Sequence, residues 1–117
     1  TLPEPKKGDK SRYVLEAMDY ISTHYNDPGI GVASIAQYLG VSESHLSHIF
    51  KRETDYTLLN YLTRCRIHKA MELLRESGGS IAAIAAAVGY ESQGKFTRAF
   101  KDVTGQLPKE YRREHRG

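Results

Sequence analysis

The sequence predicts an all-α fold of about seven helices, arranged as two helix-turn-helix units joined by a long central helix. Three observations predict it. Apolar residues recur at three- and four-residue intervals, which lines one side of a helix. Serine, threonine, glycine and proline fall between those stretches, where helices begin and end. The third observation is a duplication. Ser42-Glu43-Ser44-His45-Leu46-Ser47-His48-Ile49-Phe50-Lys51 returns fifty residues later as Ser92-Gln93-Gly94-Lys95-Phe96-Thr97-Arg98-Ala99-Phe100-Lys101. Upstream, Ile35-Ala36-Gln37-Tyr38-Leu39-Gly40 matches Ile84-Ala85-Ala86-Ala87-Val88-Gly89; downstream, Thr54-Asp55 matches Thr104-Gly105. Each copy reads as short helix, glycine turn, second helix.

Residues 1–8 hold two prolines, a glycine and charges but no apolar period, so they are expected to form a flexible linker or tail. The chain lacks an initiating Met, and this stretch is expected to be the interdomain linker of a longer protein. The first helix-turn-helix subdomain is expected over 9–56, the connecting helix over 57–76 and the second subdomain over 77–117.

From about Asp9 to Tyr25, the residues Val14, Ala17, Met18, Ile21 and Tyr25 form one buried stripe, and Asn26-Asp27-Pro28-Gly29 ends it. A short helix follows from about Val32 to Leu39. Ser42 can cap the next one, which should stop near Thr54-Asp55. Thr57 can cap a long helix to about Arg75, with Leu58, Leu59, Leu62, Arg66, Ala70, Leu73 and Leu74 inward, until Gly78-Gly79 stops it. Ser80 can cap a helix over Ile81 to Val88, and Ser92 one to about Thr104. Pro108 suits the first turn of a last short helix through Tyr111 and Arg112.

With 117 residues, 39% of them hydrophobic, the chain can bury a modest core but cannot enclose a large substrate cavity. Its net charge of +3 is uneven. Residues 1–60 hold six Lys or Arg against eight Asp or Glu, a balance of −2; residues 61–117 hold eleven against six, a balance of +5. A basic second half suits a polyanionic partner. Cys65 is the only cysteine, which excludes an intramolecular disulfide and reads as a small packed hydrophobe. With no secretory signal and no apolar run long enough to span a bilayer, a cytoplasmic location without membrane contact is expected. His45 and His48 supply two ligands at most, and no Cys or carboxylate cluster completes a metal shell. No catalytic triad, paired carboxylates or phosphate loop is evident, so neither enzymatic activity nor a cofactor is expected.

A helix advances about 100° per residue. Turning Leu46, Ile49, Phe50 and Glu53 inward therefore turns Ser44, Ser47, His48 and Lys51 outward. In the second copy Phe96, Ala99, Phe100 and Val103 go inward, leaving Gly94, Thr97, Arg98 and Lys101 outward with Gln93 and Lys95 on the flanks. Both stripes offer hydrogen-bonding groups and neither carries an acid. That chemistry suits a major groove, where Arg pairs with guanine through two donors and Gln with adenine. Arg98 is the leading base reader. Expected phosphate contacts are Ser42, Lys51, Arg52, Ser92, Thr97 and Lys101, those near the helix N-termini aided by free backbone donors. A central helix of roughly 27 Å, plus the width of the units at its ends, would put two such helices in successive grooves about 34 Å apart. The competing reading is a helical protein-interaction module that offers the same stripes to an acidic partner.

The chain resembles the AraC/XylS family of bacterial transcription regulators. The resemblance rests on Ile84-Ala85, Val88-Gly89-Tyr90, Ser92, Phe96, Arg98-Ala99-Phe100-Lys101, Thr104-Gly105, Pro108 and Tyr111-Arg112. It is extended by Arg66, Ala70 and Leu73-Leu74, and by Ile35-Ala36, Leu39-Gly40, Ser42, Leu46, Phe50-Lys51 and Thr54. It implies a DNA-binding domain at the C-terminal end of a regulator with a separate N-terminal sensing or dimerisation domain. Such a regulator is most often an activator that contacts RNA polymerase. Carried onto this chain, base-reading positions fall on Ser44, Ser47 and His48 in the first unit and on Gln93, Gly94, Lys95 and Arg98 in the second. Three departures stand out. Gly94 offers no side chain to a base, Asp55 replaces the glycine expected after the first reading helix, and the first stripe is small and mostly uncharged. The second unit is therefore expected to contribute more affinity.

Overall fold

The structure, a computed structural model, describes residues 11–116. The expected linker at 1–8 and the expected helix start at Asp9 lie outside the described residues. Seven helices and no strand are found among those described. They are α1 (Arg12–His24), α2 (Val32–Leu39), α3 (Glu43–Thr54), α4 (Leu58–Glu76), α5 (Ile81–Ala87), α6 (Gln93–Thr104) and α7 (Pro108–His115). None is long and apolar enough to cross a membrane.

The caps explain where these helices start. Hydroxyls of Ser42, Thr57, Ser80 and Ser92 accept from the backbone N–H of His45, Asn60, Ala83 and Lys95, at 3.0–3.2 Å. Each satisfies a donor that has no partner within its helix. Ser11 does the same for α1 through Val14 N–H at 3.3 Å. Pro108 occupies the first turn of α7, and the Glu110 carboxylate reaches back to accept from Leu107 N–H at 2.9 Å.

Two apolar cores form, and α4 belongs to both. The first gathers Val14, Ala17, Ile21, Ile35, Leu46, Phe50, Leu62 and their neighbours, ending along α4 at Cys65. The second begins at Ile67 and includes Leu74, Ile84, Val88, Phe96, Phe100 and Tyr111. On α4, Leu58, Tyr61, Leu62 and Cys65 serve the first core, while Ile67, Ala70 and Leu74 serve the second. At about 100° per residue these two sets point roughly 160° apart. The single inward stripe expected for this helix is therefore wrong in part. Leu59 is 62% exposed, whereas Tyr61 and Ile67 are buried.

The duplication persists in three dimensions. Phe50 meets Tyr61 edge-on with centroids 5.6 Å apart at 68°, and Phe100 meets Tyr111 at 5.6 Å and 69°. Thr54 and Thr104 each donate a hydroxyl hydrogen bond of 2.8 Å to the preceding Phe carbonyl. Each also accepts, at 3.1 Å, from the N–H two residues on, Tyr56 or Gln106. The same bracket thus turns the chain out of α3 and out of α6. Cys65 packs as expected: it is buried, and burial pushes its thiol up to about 11.

Candidate nucleic-acid interface

Both second helices stand on buried bases and present exposed ridges. In α3 the residues Leu46, Ile49 and Phe50 are buried, so Ser44, Ser47, His48 and Lys51 point to solvent. With Arg52 they line one shallow, open depression, which brings five of the sequence-expected contacts together. Lys51 is partly committed, because its ammonium donates to the Asp55 carbonyl at 2.9 Å across the end of its own helix. Arg52 lies 3.9 Å from the Glu53 carboxylate. His45 is exposed and meets Tyr13 edge-on at 6.2 Å.

In α6, Phe96 and Phe100 are fully buried, leaving Gln93, Gly94, Lys95, Arg98 and Lys101 exposed. Thr97, expected outward, is half-buried. Arg98 and Lys101 hold no hydrogen bond or ion pair among the described residues, which leaves both cations available to a ligand. Space around Gly94 is open: a Cβ added there would meet nothing within 4 Å.

The two ridges differ in charge. Residues 43–54 carry two bases and two acids, a balance of zero; residues 93–104 carry three bases and one acid, a balance of +2. Glu43 favours the start of α3 by sitting near its positive dipole end, yet it places an acid beside Ser44. The two helices also end differently. Asp55 adopts φ 68° where Gly105 adopts φ 82°, so an L-residue holds a left-handed position after α3. Asp tolerates that conformation at more cost than glycine.

Spacing is set by α4, whose 19 residues span about 28 Å within a body 43 Å along its longest axis. One residue important to that arrangement escaped full reading from sequence. Arg66 matched the inward pattern, but its role as a bridge did not follow from the pattern. Its guanidinium donates through Nε to the Tyr25 carbonyl at 2.8 Å and through Nη2 to the Asp27 carbonyl at 2.9 Å. A cation on an otherwise apolar helix side was the available signal, since a buried charge requires partners. Desolvation lowers its pKa, opposed by Tyr90 and Asp27.

Comparisons with known proteins agree with this architecture. Residues 35–114 match the family described as a helix-turn-helix domain. The chain is 38% identical over 99 residues to the arabinose operon regulatory protein of Escherichia coli (strain K12), a match covering 85% of this chain and 34% of that protein. It therefore spans about a third of the length of that relative. The C-terminal domain of AraT, a response regulator from Geobacillus stearothermophilus, superposes with a TM-score of 0.89 at 36% identity, over 92% of this chain and 88% of that one. The DNA-binding domain of AdpA, a global transcriptional factor solved in complex with a target DNA, has the same fold. Its TM-score is 0.84 at 24% identity, over 91% of this chain and 95% of that one.

Proposed function

The chain belongs to the AraC-type family of helix-turn-helix transcription regulators, and from that membership we propose that it reads double-stranded DNA in two successive major grooves, α3 in one and α6 in the next. One observation carries the reading: two N-capped helices of the same design present exposed polar ridges and share a rigid rod. The rod's length of about 28 Å, plus the width of the units at its ends, suits the roughly 34 Å turn of B-DNA. A monomer on such a site needs no palindrome.

Arg98 is assigned to a guanine through two donors and Gln93 to an adenine, with Lys95 beside them. Ser44, Ser47 and His48 read the other groove, where small hydroxyls and an imidazole accept several base edges. The Gly94 position is silent. Phosphates are held by Lys51, Arg52, Thr97 and Lys101 and by the helix N-termini at Ser42 and Ser92. The parent protein is a cytoplasmic regulator, an activator that touches RNA polymerase and carries an N-terminal sensing or dimerisation domain. A match that covers 34% of the arabinose operon regulatory protein supports a longer parent protein and bears on none of the other assignments.

A footprint on a duplex selected from random sequence should protect two major-groove tracks one turn apart. With five or six phosphates neutralised, log affinity should fall against log salt with a slope near about −5. Lys101→Ala should lower that slope by about one. A single protected track, or affinity for DNA that ignores salt, would remove the two-groove reading and favour a protein-binding module.

A further inference from the structure

Where the two cores adjoin, one buried cation touches both units. Arg66 is only 9% exposed and lies between Cys65, the last α4 residue of the first core, and Ile67, the first of the second. Its two hydrogen bonds reach Tyr25 and Asp27, in the turn that follows α1. The same guanidinium lies 5.3 Å from the ring centre of Tyr90, in the turn that precedes α6. Gly89 comes closer still. Its φ is +101°, and a Cβ there would stand 2.5 Å from the Tyr25 carbonyl oxygen and 2.9 Å from Arg66 Nε. The turn of one unit is thus pressed against the turn of the other, with Arg66 joined to both. Tyr25 accordingly packs against both cores.

A helix by itself fixes only the separation of what it carries. The twist between two bodies packed on its opposite sides depends on contacts lateral to the rod, and Arg66 supplies them together with the Gly89–Tyr25 contact. A planar guanidinium fixes direction as well as distance. Rotation of the first unit would open the two hydrogen bonds and leave a desolvated charge without those partners, and rotation of the second would part the guanidinium from the Tyr90 ring.

We propose that Arg66 is a positioning residue for two-groove binding: its bridge from Tyr25 and Asp27 to Tyr90 sets the orientation of α3 relative to α6. Once one helix is seated, the other then enters its groove without further ordering. This proposal rests on the two-groove reading above.

The orientation is measured first without DNA. Spin labels attached through Glu43→Cys and Lys109→Cys report the distance between units, while buried Cys65 stays unlabelled. Arg66→Met should broaden or shift that distance distribution. Arg66→Lys should give an intermediate result, because an ammonium can serve one carbonyl but cannot span both. On the selected duplex Arg66→Met should bind roughly 10- to 100-fold more weakly than the parent. On duplexes with either groove track scrambled, the two proteins should bind alike. An unchanged distance distribution overturns the proposal, and so does an equal loss on intact and scrambled duplexes. If Arg66→Met does not fold, Arg66→Lys carries both measurements. If the parent protein binds no duplex, the two-groove reading fails, and the distance measurement in free protein still decides whether Arg66 orients the units.

Discussion

The two units repeat one bracket in their interiors and differ at the surface. Inside, a phenylalanine meets a tyrosine at the same separation and nearly the same tilt, and a threonine hydroxyl brackets the same turn. Outside, α3 is neutral with small polar groups, whereas α6 carries a balance of +2 with Arg98 and Lys101 uncommitted. Packing demands volume and shape, and around the kept Phe50/Phe100 pair each core fills its own volume, with Leu46 answered by Phe96 and Ile49 by Ala99. The outward half is free of that packing constraint, and there the copies differ in charge as well.

A repeated ring pair predicts comparable damage. Phe50→Ala and Phe100→Ala should each cost about 3–5 kcal/mol in urea unfolding. Both rings are fully buried. If one loss were under half the other, the cores would not be equivalent, whatever their geometry. Unequal surfaces predict unequal losses in binding. Arg98→Ala should weaken specific binding by about 1–3 kcal/mol, read by fluorescence anisotropy on the selected duplex. His48→Ala should lose several-fold less, and matched losses would erase the distinction drawn between the ridges. The smallest effect concerns the paired positions Ser44 and Gly94 in the first turns. Gly94 is in helical conformation with room around it, so Gly94→Ala should stabilise by about 0.5–1 kcal/mol. Ser44→Gly should destabilise by roughly 0.5 kcal/mol, both seen as opposite shifts in Tm.

Much of this was legible in sequence because local chemistry decides it. Ser42, Thr57, Ser80 and Ser92 cap where their side chains said they would, and α2 runs over Val32–Leu39 as the pattern required. The outward ridges followed from the helical wheel, since each second helix packs on one side only. The central helix did not, because a wheel assumes one buried side and α4 has two. Leu59 looked inward by composition, but it lies between the directions in which the two cores attach. Thr97, placed outward by the wheel, is half-buried. The Arg66 bridge was out of reach for another reason: its hydrogen-bond partners are backbone carbonyls 39 and 41 residues away, and a carbonyl leaves no mark in side-chain identity.

Because one interior closes at Cys65 and the other opens at Ile67, altering either exposed ridge leaves the opposite scaffold intact. On the two-groove reading proposed above, one half of a binding site can be retuned while the other ridge still holds the duplex.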